Sequence, residues 1–340
     1  MTLELQAPAH VSDVSVSPLV FRRGQAAAPA QRLLGGRAVG PGTELFGNEL
    51  LAPGAAVFDH WSGDQAVQTQ RHGCVQFSSD GQWLHGCAEV DDSVAEGGLH
   101  GATQRAYADL FAVLGQSRSP HLLRLWNYVA HINTAAPDGQ ERYRHFNAGR
   151  QQAFIDARRS AFDGTPAACA LGTAEGPLRV LFLAGPRVPV AIENPRQISA
   201  YRYPASYGAR SPTFSRAALA DVGAGRQALF ISGTASIVGH TTLHIGDVRR
   251  QTEESLVNMA AVREIAALRA GTAFDASALI YTVYVRQRSD FATVREVFER
   301  HVGPHSAAAR EAVYLQADIC RADLLVEIEA HAIVDQESSS

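Results

Sequence analysis

The feature that most constrains how this chain can fold is an internal repeat. In each half of the 340-residue sequence, the spacing of apolar residues predicts two strands, a helix, a strand, a second helix and two final strands. The first copy occupies residues 73–185 and the second occupies residues 227–334. This mixed order is typical of the α/β (α+β) class, so we predict two domains, each a mixed sheet with two helices packed on one face.

The repeat divides the chain into three parts. We place an amino-terminal domain at 1–185, a connector at 186–226 and a carboxy-terminal domain at 227–340. The connector is rich in Tyr, Arg, Pro and Ser, and its 41 residues are many for a passive loop. We therefore expect the connector to contribute side chains to a site.

Two predicted helices are the easiest elements to test in the second copy. The spacing of Val257, Ala261, Ile265 and Leu268 predicts one apolar stripe on a helix over 248–271, with Gly271 as its carboxy-terminal cap. A second helix is predicted over 291–302. In the first copy the predicted helices cover 101–116 and 146–162.

Composition excludes several classes of partner. The net charge of −4 argues against a general binder of nucleic acid or of anionic membranes. The first residues lack a basic stretch followed by an apolar run, and the four cysteines form no CxxC pair, which favours a cytoplasmic protein with reduced thiols. A small-molecule substrate is the partner that we expect, bound by a monomer or a homotrimer.

The strand predicted over 324–334 carries two carboxylates, Glu327 and Glu329, on one face. A solvent-facing row should stay polar in both copies of a repeat. When the copies are aligned, these positions fall on Leu181 and Leu183, so the face is predicted to be covered by protein. Because burying a carboxylate is unfavourable, we interpret at least one of them as functional.

Several long strings resemble a known superfamily. "ISGTASIVGHTTLHIGDVRRQTEESLVNM" followed by "VEIEAHA" resembles the RidA/YjgF superfamily, whose fold is shared by one class of chorismate mutase. The first half fits as a degenerate copy of the same domain. Simple RidA proteins are imine deaminases with an arginine on the strand before the glutamate strand, and the corresponding "AVYLQADIC" has no arginine.

A more extensive resemblance is to the chorismatase family, which is built from two such domains. It is carried by "RYRHFNAGRQQAF", "SAYRYPASYGARSPTFSRA", "FISGTASIVGH" and "ICRADLLVEIEA". The chain is most similar to the subgroup that forms 3-hydroxybenzoate, since Gly233 and Cys320 occupy the positions that distinguish it. The resemblance implies cleavage of chorismate to 3-hydroxybenzoate and pyruvate without a cofactor.

Such a reaction defines what the residues must do. Protonation of the enolpyruvyl ether requires an acid that is uncharged near pH 7, and Glu327 in an apolar setting fits this role. The missing side chain of Gly233 would let a ring approach the strand end. We expect Cys320 to line the pocket as a small buried side chain that steers the intermediate rather than as a thiolate.

The two carboxylates of chorismate require cationic anchors, and arginine can hold a carboxylate with two parallel hydrogen bonds. Arg210 is our first candidate because the turn "YGARSP" is framed by Gly and Pro. The further candidates are arginines and tyrosines of the connector and of one helix, namely Arg150, Arg216, Arg202, Tyr201 and Tyr207. The pair His240 and His244 is not interpreted as a metal site, because no third ligand is evident.

Two alternative functions stay open at this point. The same kind of site could add water and release 3,4-dihydroxycyclohexa-1,5-diene carboxylate with pyruvate. A protein of a different class, a non-catalytic or imine-deaminating RidA-like protein, could use Glu327 to bind an amine. Pyruvate release from chorismate distinguishes an enzyme of the first kind from such a binder.

Overall fold

The computed structural model describes residues 16–24, 30–39, 49–52 and 56–336. Residues 1–15, on which the expectation of no leader peptide depends, lie outside these ranges. At the amino terminus, three short strands form an antiparallel sheet in the order β1–β3–β2: β1 (Val20–Gly24), β2 (Leu33–Val39) and β3 (Val57–Ser62). The sequence did not predict this sheet.

The first repeat begins after the amino-terminal sheet. Its strands are β4 (Gln68–His72), β5 (Val75–Ser79), β6 (Leu84–Val90), β7 (His121–Ala130), β8 (Ala167–Thr173) and β9 (Leu178–Gly185). Its helices are α1 (Gly98–Gln116) and α2 (Arg142–Asp156). Helix α2 ends before residue 162, the predicted end, because the backbone at Arg158 turns into the left-handed region with φ of 53°.

The second repeat occupies the rest of the chain. Its first elements are β10 (Val190–Ile192), β11 (Ala217–Asp221), β12 (Arg226–Thr234), β13 (Ile237–Val238), β14 (Thr241–Thr242) and α3 (Val248–Ala270). Its later elements are β15 (Ile280–Val285), α4 (Phe291–Val302), α5 (Ala307–Glu311), β16 (Val313–Gln316), β17 (Asp318–Ile319) and β18 (Val326–Asp335).

Two large sheets result, and they confirm the predicted fold class. The first has the strand order β17–β8–β7–β9–β6–β5–β4 and the second has the order β10–β11–β12–β18–β15–β16. Strands β10 and β11 lie inside the segment expected to be a connector. The hairpin partner of β12 is therefore β11, which precedes it, and the other neighbour of β12 is β18. Strand β17 crosses over and pairs with β8 of the first sheet.

The two sheets pack against each other through the faces that carry no helix. Helices α1 and α2 cover the outer face of the first sheet, and α3 and α4 cover the outer face of the second. The inner faces share one apolar cluster, which includes Trp126, Leu181 and Leu183 from the first sheet, Phe230 from the second and Trp61 from the amino-terminal sheet. Any polar group on an inner face is therefore enclosed by protein.

Helix α3 contradicts the predicted apolar stripe. Val257 is 46% exposed and Leu268 is 81% exposed, whereas Leu256, Met259 and Val262 are buried. The buried face is shifted by about one residue, because Asn258 also turns inward and donates hydrogen bonds to the carbonyls of Ala235 and Ile237. The predicted cap is confirmed: Gly271 has φ of 71° and its N–H bonds to Ala267. Among the described residues, no helix is long and apolar enough to cross a membrane.

Candidate active site

Strand β18 places Glu327 and Glu329 on the inner face, toward the first sheet. Val326, Ile328 and Ala330 point the other way and pack under the helices of the second sheet. Each glutamate is only 3% exposed. The prediction that this row is covered by protein is therefore confirmed by its burial, and the equivalent Leu181 and Leu183 are buried as well.

Glu329 is surrounded by donors from three elements. Arg37 of β2 donates to Oε1 at 2.6 Å, and Arg124 of β7 donates to Oε2. Tyr284 Oη and Trp126 Nε1 also donate to Oε1, at 3.1 and 3.3 Å. Burial opposes ionisation of this carboxyl, but the two guanidinium groups lower its pKa to about 2, so Glu329 is a permanent carboxylate.

Glu327 lies in a different environment on the same strand. Its Oε1 is enclosed and makes no hydrogen bond within the described part of the chain. Burial and the neighbouring charge of Glu329 raise its pKa to about 8, with Arg124 and Arg286 opposing the shift. Two carboxyl groups two residues apart are thus held in opposite protonation states at neutral pH, and Glu327 is the one that can donate a proton.

Gly233 packs directly against the Glu327 carboxyl. It lies at an irregularity of β12, where the pairing with β18 shifts between Ile231 and Thr234. A Cβ atom at position 233 would lie 1.9 Å from Glu327 Oε1 and 3.0 Å from the Cβ of Cys169. The structure thus gives Gly233 a role that the sequence did not predict, because a side chain here would displace the acid; its expected role in making room for a substrate ring stays a prediction.

A cavity of about 330 Å³ opens beside Glu327 at the junction of the two repeats. Gly233, Cys320 and Glu327 lie at the inner end. The walls come from α2, from the segment between β10 and β11, and from the loop between β17 and β18; they include Tyr143, Asn147, Tyr203, Tyr207, Phe214, Arg216 and Arg321. Its size suits a small aromatic or cyclic ligand.

Three further predicted residues, Arg216, Tyr207 and Arg150, lie in or beside this cavity. Arg216 is buried, with Nη2 donating to Tyr203 Oη at 2.8 Å and to the carbonyl of Ile198 at 2.9 Å. Tyr207 lines the wall and donates to the carbonyl of His240. Arg150 lines a small second pocket next to the inner end of the cavity, and Cys320 and Glu327 line both. Burial raises the pKa of the Cys320 thiol to about 12, so it is neutral.

The structure does not bring Arg210, Arg202 or Tyr201 to the cavity. The turn at Gly208 directs Arg210 outward, where it is exposed and donates weakly to Gln151 and Gln152 at 3.3 and 3.4 Å. Tyr201 packs edge-on against Phe162, and Arg202 covers its ring. The rigid turn that made Arg210 the first candidate does exist, but it faces solvent.

Arg321 is the cavity residue that sequence reasoning missed as a ligand anchor. Its guanidinium lies 4.2 Å from the ring centre of Tyr207 and 5.2 Å from that of Tyr203. Nη1 donates to the carbonyl of His240 at 2.8 Å, while Nη2 is buried and unpaired among the described residues. Its position next to Cys320, directly after the strand in which an arginine was sought, was the available signal.

The arrangement therefore combines an uncharged acid with nearby cations. Arg216 and Arg321 can accept an anionic ligand, and Glu327 can protonate one of its carbon or oxygen atoms. No group of three or more His, Cys, Asp or Glu side chains in the described ranges is arranged to hold a metal ion. His240 Nδ1 lies within hydrogen-bond distance of Tyr207 Oη at 3.2 Å, and His244 Nε2 lies 3.6 Å from a carboxylate oxygen of Glu254.

Comparisons with known proteins show what this chain is similar to. Residues 59–184 match the family model "Chorismatase FkbO/Hyg5-like, N-terminal". A chorismatase of Streptomyces rapamycinicus is 41% identical over 79% of this chain and 80% of its own length. A 3-hydroxybenzoate synthase of Streptomyces hygroscopicus is 37% identical over 79% of each chain. A crystal structure of a chorismatase superposes with a TM-score of 0.81 at 32% identity, covering 94% of this chain and 100% of that one.

Proposed function

Since this chain belongs to the chorismatase family, we propose that it is an enzyme that converts chorismate to 3-hydroxybenzoate and pyruvate. The observation that carries the proposal is the buried Glu327, which is protonated at neutral pH and lies at the inner end of a cavity of suitable size. An exposed glutamate would be ionised and unable to start the reaction.

The first step is proton transfer from Glu327 to the terminal methylene of the enolpyruvyl group. The ether carbon then becomes an oxocarbenium centre, and the bond between the ether oxygen and the ring breaks to release pyruvate. The neighbouring ring hydroxyl closes an epoxide on the ring and returns a proton to Glu327. Opening and rearomatisation give 3-hydroxybenzoate. All atoms of chorismate are recovered in the two products, so no water or cofactor is consumed.

Arg216 and Arg321 support binding of the two carboxylates. Both guanidinium groups are fixed by carbonyl or hydroxyl partners, and each keeps a buried N–H without a partner in the described chain. An unpaired buried donor is unfavourable until a ligand satisfies it. An acidic substrate that reaches both arginines would therefore bind with its ring near Glu327. Tyr207, on the cavity wall, would contact the substrate, and Arg150 would lie on the side of Glu327.

Incubation with chorismate in water enriched in ¹⁸O tests the proposal. We expect pyruvate and 3-hydroxybenzoate in equal amounts, and no ¹⁸O in the aromatic acid. Hydrolysis would instead give the diene-diol in place of the aromatic acid, with ¹⁸O in the diol only if water attacks the ring carbon rather than the enolpyruvyl carbon. Failure to release any pyruvate would contradict a chorismatase and favour a RidA-like binding protein. The ¹⁸O content of pyruvate is not informative, because its ketone exchanges with water.

Three expectations from the sequence remain part of this proposal. The reaction needs no cofactor, the protein works in the cytoplasm, and it is a monomer or a homotrimer. The enclosed inner faces favour the monomer, because the two repeats already cover one another. Size-exclusion chromatography with light scattering measures this directly, and a mass of three chains would instead favour the trimer.

A further inference from the structure

The ion cluster around Glu329 is not used by the mechanism above, although it connects all three parts of the fold. Arg37 belongs to the amino-terminal sheet, Arg124 to the first large sheet and Glu329 to the second. Arg37 also donates to Asp59 at 3.1 Å, and Asp59 accepts two hydrogen bonds from Arg23 at 2.6 and 2.9 Å. Arg23 in turn donates to the carbonyl of Tyr281 at 2.6 Å.

This cluster lies next to the acid. Glu327 and Glu329 are two residues apart on one face of β18, a separation of about 7 Å along a strand. Both carboxyl groups are buried between the sheets, so charges at this separation interact more strongly than they would at a surface. A buried ionic network is not by itself a good source of stability, which leaves its position beside Glu327 to be explained.

We propose that Glu329 is a positioning residue for proton donation by Glu327, and that Arg37 of the amino-terminal sheet, paired with Glu329, offsets part of its effect. This inference rests on the proposed role of Glu327. The carboxylate of Glu329 opposes a second negative charge on the same strand face. It also neutralises Arg37 and Arg124, which would otherwise favour ionisation of Glu327.

The groups that face this pair from every packed element support the assignment. Those around Glu327 are Arg124 from β7, Cys169 from β8, Tyr143 and Arg150 from α2, Arg286 after β15 and Cys320 after β17. Those around Glu329 are Arg37 from β2, Asp59 from β3, Arg124, Trp126 and Tyr128 from β7, Cys169 from β8, Tyr284 from β15 and His331 from β18. Glu329 lies on the same face of β18 as Glu327, whereas the other described carboxylate in these two sets, Asp59, lies on β3.

The pH dependence of kcat/KM tests the proposal with Glu329→Gln. The wild type should lose activity above about pH 8, where Glu327 ionises. In the variant a like charge is removed and two cations are released, so this alkaline limb should move down by about one unit or more. Glu89→Gln, the same change at an exposed ion pair with Arg179, should leave the limb in place.

Arg37→Met provides a test of opposite sign that does not depend on the folding of Glu329→Gln. Asp59 keeps its pairing with Arg23 in this variant, and Glu329 keeps its pairing with Arg124 and stays charged. One cation near Glu327 is lost, so the limb should move to higher pH. A limb that stays in place in every variant that folds, or that moves in the same direction in both, would overturn the proposal.

A titration without turnover separates this inference from the proposed function. The carboxyl ¹³C signal of Glu327, assigned by its absence in Glu327→Gln, should titrate near pH 8 in the wild type and at lower pH in Glu329→Gln. If chorismate is not converted but the signal still shifts, the coupling stands and the proposed reaction fails. If chorismate is converted and the signal does not shift, the coupling is wrong.

Discussion

Strands β9 and β18 occupy equivalent places in the two repeats, but β9 contributes apolar packing and β18 contributes the two glutamates of the site. Both run through the middle of their sheets and both face the interface between the sheets. In β9 the inward side chains include Leu181 and Leu183, which form an apolar wall. In β18 the same positions hold Glu327 and Glu329, one neutral and one charged.

The difference teaches how a duplicated fold can separate packing from chemistry. Residues of β8 and α2 in the first repeat, among them Ala168, Cys169 and Tyr143, enclose Glu327 and make its ionisation unfavourable. Arginines from the first and amino-terminal sheets keep Glu329 charged, but in the described chain none bonds to Glu327 Oε1. One repeat thus supplies the environment and the other the reacting group, which the following variants test.

The largest effect is expected when β18 loses its acid. Glu327→Gln keeps the shape of the side chain but cannot donate the proton, so pyruvate release should fall by about 10²–10⁴-fold. Continuous measurement of pyruvate with a coupled dehydrogenase gives the rate. Wild-type turnover in this variant would show that the neutral carboxyl is not the acid. Glu89→Gln is the matched control at the surface and should keep normal turnover.

The same substitution should stabilise the fold at neutral pH. The pKa of Glu327 is raised in the folded state, so the wild type is most stable when this group is protonated and loses stability as the pH rises from about 4.5 to about 8. At pH 7 this loss is on the order of 3 kcal/mol, at about 1.4 kcal/mol per pH unit. Glutamine lacks this penalty.

Denaturant unfolding of wild type and Glu327→Gln measures that difference. The gap in free energy of unfolding should be small near pH 4.5, widen toward pH 8 and then stay constant. A gap that does not change with pH would mean that Glu327 titrates normally, and its special environment would then be no different from that of a surface glutamate.

A somewhat smaller effect is expected at the cavity wall. Arg321→Lys keeps the charge but loses the planar fork and the stacking on Tyr207, so kcat/KM should fall by roughly 10-fold or more, as expected for about 1.5–3 kcal/mol. Arg210→Lys is the matched control outside the cavity and should stay within about twofold. A larger loss for Arg210→Lys than for Arg321→Lys would restore the prediction made from the sequence.

Local periodicity predicted much of the fold but not the contacts between distant segments. Helix α4 begins and ends where its pattern predicts, because one strong apolar face decides its packing. Strand β11 was missed because "AALAD" is too short and too rich in alanine to be distinguished from a loop by its pattern. The stripe on α3 was wrong because polar Gln251 and Asn258 face inward to bind loop carbonyls, which no hydropathy pattern reveals.

In the candidate site, too, local sequence patterns predicted some residues, whereas contacts between distant segments were not predicted. Glu327, Gly233 and Cys320 were found from strand alternation and from the family resemblance, and the structure brings them together. Arg210 was predicted wrongly to reach the cavity, because sequence spacing does not show how the segment after β10 folds. Arg321 was missed because its closeness to that segment depends on the same folding. The ion partners of Glu329 could not be predicted, because Arg37 and Arg124 are separated from it by 292 and 205 residues.

The smallest effect, and the most informative about product choice, concerns Gly233 and Cys320. In Gly233→Ala the new methyl would meet Glu327 Oε1, so the carboxyl must rotate and pyruvate release should fall. Cys320→Ala removes the bulky sulfur from the same end of the cavity and gives the carboxyl and a water molecule more space.

We therefore expect the double variant to recover part of the rate lost in Gly233→Ala, by about 1 kcal/mol of coupling, and to shift product from 3-hydroxybenzoate toward the diene-diol. Chromatography of the products from the single and double variants measures both quantities. Strictly additive losses with 3-hydroxybenzoate as the sole product would mean that the two residues act independently and do not steer the intermediate. Leu181→Ala is a matched change on β9. Leu181 belongs to the apolar cluster between the sheets and does not line the cavity, so this variant should lower stability without altering the product ratio.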